Sequence, residues 1–161
     1  MTTPKPPFHY HIVMVEPEIP PNTGNAGRLA VATQSTLHLV GKLGFSIDDR
    51  AVRRAGLDYW KHVDLIQHET FETWLTWFEE NVPGAPFYLF SKKNSVSLFD
   101  TKIPAQAAFV FGKETLGLPE ELLDRHPEQC LGIPMFSDKS RSLNLSNAIS
   151  IALYEGIRQQ L

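Results

Sequence analysis

A chain of 161 residues, 42% hydrophobic and 20% charged, is long enough to bury a core and short enough to form one domain. Its formal charge of -3 excludes nucleic-acid binding over the whole surface but leaves room for a local basic patch. The opening residues Met1-Thr2-Thr3-Pro4-Lys5-Pro6-Pro7 hold no apolar signal segment and no later run is long enough to cross a bilayer, so the reading is a cytoplasmic protein with no membrane partner.

Residues 1–9 are expected to be a flexible N-terminal segment ahead of a first strand over Tyr10 to Val15. The run Asn22-Thr23-Gly24-Asn25-Ala26-Gly27-Arg28 then reads as a helix start. Asn22 or Thr23 offers an N-cap, and the two glycines allow another backbone close approach. Arg28 sits one turn into this helix beside Leu29, Ala30, Val31 and Ala32, either as an exposed charge or as a clamp for a phosphate or carboxylate. A second strand spans Thr36 to Val40; Ser46 with Asp49 opens a helix closed by Gly56, and a third strand spans Val63 to Gln67. Thr70 precedes a helix over Phe71 to Asn81 that stops at Pro83-Gly84. Strands at Phe87 to Phe90, Ala107 to Phe111 and Gln129 to Ile133 follow, with a helix opened by Pro119 and ended before Pro127. Six strands alternating with helices predict an α/β fold with a mostly parallel sheet.

The last segment carries apolar residues at Leu145, Ala148, Ile149, Ala152, Leu153, Gly156 and Ile157, the spacing of an amphipathic helix packed on a core. Immediately before and within its first turn stand Ser142, Asn144, Ser146 and Asn147. One cap needs one such side chain, so four of them predict a polar site at the helix mouth.

Ligands of open α/β sheets bind at the carboxyl ends of the strands. No Gly-x-Gly-x-x-Gly occurs, and Gly112-Lys113-Glu114-Thr115-Leu116-Gly117 continues with Leu118-Pro119 where a P-loop needs Lys and Ser or Thr. Backbone-rich loops at Phe90-Ser91-Lys92-Lys93, Gly112 to Pro119 and Ile133-Pro134-Met135, framed by Leu89, Ile133, Met135 and Leu143, suit an adenine ring and a neutral ribose better than a pyrophosphate. Cys130 is the only cysteine and lies in an apolar run, which predicts a buried structural thiol. His9 and His11 are two apart on a strand, but no Cys or acidic partner completes a metal set, and no metal is expected.

In its ordered motifs, Asn22 to Arg28, Phe111-Gly112-Lys113-Glu114-Thr115-Leu116-Gly117-Leu118-Pro119, and Ile133-Pro134-Met135 followed by Ser142-Leu143-Asn144-Leu145-Ser146-Asn147, the chain resembles the SPOUT superfamily of knotted RNA methyltransferases. Arg54-Ala55-Gly56-Leu57-Asp58-Tyr59-Trp60 narrows the likeness to the small single-domain tRNA wobble-nucleotide 2'-O-methyltransferases, from about residue 10 onward. Lys113 stands where that pattern favours proline, and Gly27 where a bulkier apolar residue is common.

The resemblance implies a single domain with a deep C-terminal trefoil knot, an S-adenosylmethionine pocket formed by it, S-adenosylhomocysteine as product, and a homodimer acting on the tRNA anticodon stem-loop. It implies that Arg28 is the catalytic arginine and that Asn22, Glu114, Ser142 and Asn144 orient arginine, donor and nucleotide. The expected donor-binding set is Leu89, Phe90, Ser91, Gly112, Glu114, Gly117, Ile133, Met135, Ser142, Leu143 and Asn144. RNA is expected to meet Arg50, Arg53, Arg54, Tyr59, Trp60, Lys61, Lys139, Arg141 and Tyr154, with His62, Lys92 and Lys93 nearby. Tyr59 and Trp60 either stack on an unpaired base or pack internally. Two other readings stay open: a related enzyme with another RNA target, and a non-catalytic RNA-binding knotted dimer.

Overall fold

The computed structural model describes residues 3–48, 50–55, 59–93 and 95–161. Its strands are β1 (His9–Val15), β2 (Thr36–Val40), β3 (Asp64–His68), β4 (Phe87–Phe90), β5 (Val96–Ser97), β6 (Gln106–Gly112) and β7 (Cys130–Gly132). They form one parallel sheet in the order β3-β2-β1-β6-β4-β7-β5. The helices are α1 (Pro20–Thr33), α2 (Arg50–Ala55), α3 (Phe71–Asn81), α4 (Glu120–Arg125) and α5 (Leu145–Arg158). The sheet therefore has a seventh strand beyond the expected six: Val96–Ser97 is too short to show alternation and forms only because β7 offers it an edge.

Side chains alternate across the sheet. Tyr10, Ile12 and Met14 pack with Leu37, Leu39 and Phe109 against Ala26 and Ala30 of α1 and Ile149, Ala152 and Leu153 of α5. Val13, Val15, Leu89 and Val110 pack against Phe71, Trp74 and Phe78 of α3 and Leu122 of α4. On this second face three histidines from adjacent strands meet: His11 Nδ1 lies 2.9 Å from His38 Nε2, and His38 Nδ1 lies 3.0 Å from His68 Nε2. His9 is engaged separately, with Thr36 Oγ1 at 2.9 Å, and Thr36 in turn donates to Asp64 at 2.7 Å. Among the described residues no cluster of His, Cys, Asp or Glu is arranged to hold a metal ion.

Strands β4 and β5 are consecutive in the chain, yet β7 lies between them and pairs with both. Ser91, just past β4, reaches the slot that β7 enters: its N–H donates to the Leu131 carbonyl at 2.9 Å. A Cβ at Gly132 would collide with Ser95 Oγ and lie 3.2 Å from the Ser91 carbonyl, so glycine is what lets Ser91 and Ser95 approach the strand this closely. The chain leaving β7 turns back into α5, which docks on α1, β1 and β6 and completes the deep C-terminal trefoil knot. Tyr10 Oη shares its hydrogen between the Pro104 and Gly156 carbonyls at 2.9 and 3.0 Å, tying the helix to the first strand.

Packing begins earlier than residue 10: His9 opens β1, and Phe8 stacks on Tyr10 with ring centroids 5.5 Å apart. Helix α1 also starts earlier than either expected cap. Its first residue is Pro20, Ile19 is the N-cap, and Asn22 and Thr23 are buried inside the first turn. Pro20-Pro21 was the legible signal, because proline lacks the N–H that a first turn would leave unpaired. Thr70 caps α3 in a reciprocal box with Thr73, and Pro119 is the N-cap of α4. Asp49 and Gly56, expected to frame α2, lie outside the described residues. Cys130 is buried, its Sγ 3.5 Å from the His126 carbonyl, and burial raises its thiol pKa, as a structural role requires.

Candidate active site

A cleft of about 960 Å3 opens at the carboxyl ends of β4, β6 and β7. Three segments wall it: Phe90 to Lys93, Phe111 to Leu118, and Gly132 to Met135 continued by Arg141 to Leu145. Of the expected donor-binding residues, Phe90, Ser91, Gly112, Glu114, Gly117, Ile133, Met135, Ser142, Leu143 and Asn144 all line it. Leu89 does not. It is fully buried on the α3 side of the sheet, because its neighbour Phe90 takes the opposite face. Ser95 and Ser97 line the cleft without having been anticipated; they depend on the β5 edge, which no sequence pattern announced.

Helix α1 is held to this cleft by a reciprocal clasp. The Glu114 carboxylate accepts from the backbone N–H of Glu18 at 2.8 Å and of Ile19 at 3.1 Å, and from Asn22 Nδ2 at 3.3 Å. Glu18 Oε1 accepts from the N–H and hydroxyl of Thr115 at 3.2 and 2.7 Å, which holds the Glu18 carboxyl below its ordinary pKa. Lys113 pairs with Glu16 at 3.1 Å, a contact that a proline at this position could not make. Since Ile19 has no capping side chain and the first turn of α1 carries no acid, Glu114 supplies the cap from another loop. Glu114→Ala is expected to lower unfolding free energy by about 1–2 kcal/mol in urea titration. Glu114→Gln, which keeps an acceptor, is expected to lose less; equal stability of all three proteins would refute the cap.

Asn144 is the N-cap of α5: its Oδ1 accepts from the Asn147 N–H at 3.2 Å and from Ser146 Oγ at 2.6 Å. Its Nδ2 donates to Asn22 Oδ1 at 3.2 Å, so Asn144, Asn22 and Glu114 form one hydrogen-bonded chain from the knot to α1. Ser142 lines the cleft, and its carbonyl accepts from Ser140 Oγ at 3.1 Å. Arg28 is exposed and is not part of the cleft wall; its guanidinium lies 4.9 Å from the centroid of the Tyr59 ring, a cation–π contact.

The two open roles of Tyr59 and Trp60 separate here. Tyr59 is at the surface beneath Arg28, whereas Trp60 packs on α1: a Cβ at Gly27 would lie 2.8 Å from Trp60 Cζ3. Gly27 thus makes the room that Trp60 fills. Gly27→Ala should destabilise the fold by about 1–3 kcal/mol through overpacking, and adding Trp60→Leu should recover most of that loss. A thermal melt unchanged by Gly27→Ala would contradict the packing.

Of the expected RNA rim, Arg50, Arg54, Lys61, His62, Lys139 and Tyr154 are exposed, and Arg141 is an exposed part of the cleft wall with Lys92 and Lys93. The Arg53 side chain, with Leu57 and Asp58, lies outside what the structure describes. Two cleft cations are already matched, Lys93 by Glu120 and Lys113 by Glu16, so the wall is no polyphosphate cradle. Phe90 stacked on Phe111 at 4.6 Å, with Leu118, Ile133 and Met135, offers an apolar slot beside exposed backbone. Gly117 keeps that backbone open: at φ +70 it has nothing within 4 Å of a would-be Cβ. These features fit an adenosine moiety carrying no phosphate.

A parallel α/β sheet closed by a C-terminal knot, with a glycine-framed cleft over its central strands, defines the knotted methyltransferase class. The chain belongs to the SpoU rRNA Methylase family, whose model matches residues 9–154. It is 42% identical over 151 residues to a tRNA (cytidine(34)-2'-O)-methyltransferase of Burkholderia cenocepacia, covering 93% of this chain and 95% of that protein. A solved structure described as giving insights into "the 2-OH methylation of C/U34 on tRNA" matches with TM-score 0.87 and 42% identity over 96% of this chain and 97% of that one. The SpoU methyltransferase AviRb of Streptomyces viridochromogenes, solved with AdoMet, shares the fold at TM-score 0.79 and 24% identity, over 92% of this chain and 57% of that one.

Proposed function

We infer that this protein is a tRNA 2'-O-methyltransferase that transfers a methyl group from S-adenosylmethionine to the ribose of the wobble nucleotide, C34 or U34. The observation that carries the reading is the cleft itself: ten expected donor-binding residues converge on it, and the Asn144–Asn22–Glu114 chain ties it to the helix that bears Arg28. When bound, the donor supplies an electrophilic methyl on a sulfonium centre. The positive charge disperses during transfer, so alignment by the cleft walls can provide most of the acceleration and no metal is required. Phe90, Ile133 and Met135 hold the apolar ring while backbone groups of the three loops fix its edge.

The ribose hydroxyl must still lose its proton. A guanidinium is a poor base at neutral pH, so Arg28 acts as a clamp on the target phosphate, leaving a phosphate oxygen or a neighbouring group to accept the proton. The working unit is a homodimer in the cytoplasm. Support for the dimer comes from the exposed apolar side chains Ile19, Leu143, Ile151 and Tyr154, which follow α1, the knot and α5, and from the position of Arg28 outside its own cleft. Each protomer then completes the other's site.

The test begins with calorimetry: folded protein without RNA is expected to bind S-adenosylmethionine or its demethylated product. Incubation with tRNA and labelled donor should then place one 2'-O-methyl group at position 34, mapped by mass spectrometry. Binding without transfer would favour the non-catalytic RNA-binding dimer; a methyl group elsewhere in the RNA would identify the related enzyme instead.

A further inference from the structure

Phe136 is 96% exposed. Among the chain's ten phenylalanines only Phe99, at 53%, is also exposed; the other eight are buried or half-buried. Burial of a phenylalanine ring stabilises a fold, a contribution that folding of the single chain leaves unused at this position. Phe136 follows directly on Met135, which lines the donor cleft, and the same loop returns to the cleft wall at Arg141. Consecutive Cα atoms are about 3.8 Å apart, so Phe136 stands at the edge of the site.

Its surroundings narrow what can cover it. Ser137, Asp138, Lys139, Ser140 and Arg141 are all exposed and polar, with two cations against one carboxylate, and Lys92 adds a third cation at the cleft. A protein partner would need contiguous apolar area to bury against, and Phe136 is separated from the next exposed apolar side chain of the loop, Leu143, by six exposed polar residues in a net-positive setting. An unpaired nucleotide needs what is there: one aromatic face for the base and cations for the flanking phosphates.

We propose that Phe136 is the platform on which an unstacked anticodon-loop base, at or directly beside the methylated nucleotide, stacks as the ribose enters the cleft. The proposal rests on the tRNA reading above. Stacking there would hold the loop with its ribose turned to the donor, so Phe136 would contribute to substrate capture and alignment without touching the donor. It also accounts for the loop's serines. The Lys139 N–H donates to Ser137 Oγ at 3.1 Å and Ser140 Oγ donates to the Ser142 carbonyl at 3.1 Å, which fold the loop locally and leave the ring to project.

The experiment compares wild type with Phe136→Ser and Phe136→Tyr. Phe136→Ser should lower kcat/KM for tRNA about tenfold or more, as expected for loss of one base–aromatic stack, with S-adenosylmethionine affinity and sedimentation behaviour unchanged. Phe136→Tyr, which keeps the ring, should restore most of it. In parallel, 2-aminopurine is placed in turn at position 34 and at each neighbour of an anticodon stem-loop RNA, with binding read by fluorescence. Wild type and Phe136→Tyr should quench it at one of these positions, and Phe136→Ser should not. Equal quenching by Phe136→Ser, or a kinetic loss that tracks a change in sedimentation, overturns the proposal; the second result would assign Phe136 to contact with another copy of the chain. If wild type transfers no methyl to position 34, the functional reading fails, while the quenching comparison still decides whether Phe136 stacks on RNA.

Discussion

Co-refolding Arg28→Ala with Asn144→Ala should restore methyl transfer to about a quarter of all sites, although each variant alone should be nearly inactive. The expectation follows from the proposed homodimer, in which the site is shared. Arg28 lies outside the wall of its own cleft, over Tyr59, whereas Asn144 is built into that wall. In a mixed dimer one site then receives both lesions and the other receives neither. Random pairing makes about half the dimers mixed, and one site in each is intact. If both groups served the same site from one chain, every site in a mixed dimer would carry one lesion and mixing would recover nothing. The assay is methyl incorporation into tRNA after co-refolding, with mixed dimers quantified by native mass spectrometry.

Acid should weaken this protein well above the range in which its carboxylates titrate. Burial lowers the pKa of His11 from 6.5 to about 4, assisted by the charge on His9 and opposed by Asp64. Burial lowers His38 to about 2, assisted by His11, His68 and His9. His9 and His68 are displaced in the same direction. Both rings are neutral in the fold; His38, between the other two, can donate to one neighbour and accept from the other, with Trp77 4.9 Å from its ring. As pH falls through 6.5 the unfolded chain binds protons that the folded chain cannot, so the stability these groups provide is present at neutral pH and lost on acidification. For two such groups the loss amounts to about 4 kcal/mol between about pH 7.5 and about pH 5. Glu18, Glu72 and Glu155 have lowered pKa values, so their contribution is lost only below their ordinary value of 4.5, outside that interval. Urea titrations across the interval should show the decline, and His11→Gln should reduce it by about half. A flat profile in wild type would contradict the neutral chain.

Local chemistry determined much of this protein from the sequence. Apolar periodicity placed six strands and the C-terminal helix within a residue or two, because a two-residue or 3.6-residue repeat is enforced by which face meets the core. Ten of the eleven expected donor residues line one cleft, since they lie on loops whose glycines and short polar side chains mark exposed backbone. The exception, Leu89, shows the limit: membership of a strand end was legible, but the face was decided by the sheet. Whether Trp60 stacks outward or packs inward depended on the space at Gly27, roughly 110 Å of extended chain away and known only once α1 was in place.

What the tertiary structure alone decided are the relations between distant segments. Strand β5 exists because β7 enters beside it, and no periodicity can record an edge supplied by residues more than thirty positions later. Glu114 caps a helix that begins ninety-four residues before it, doing what Asn22 and Thr23 had been expected to do from within. His9 and His11 looked like a pair lacking partners, and the partners arrived from β2, themselves held by β3. In each case the residue types were written in the chain, but hydrogen bonds and packing are satisfied in space, and only the folded chain fixes which groups are near enough to satisfy them.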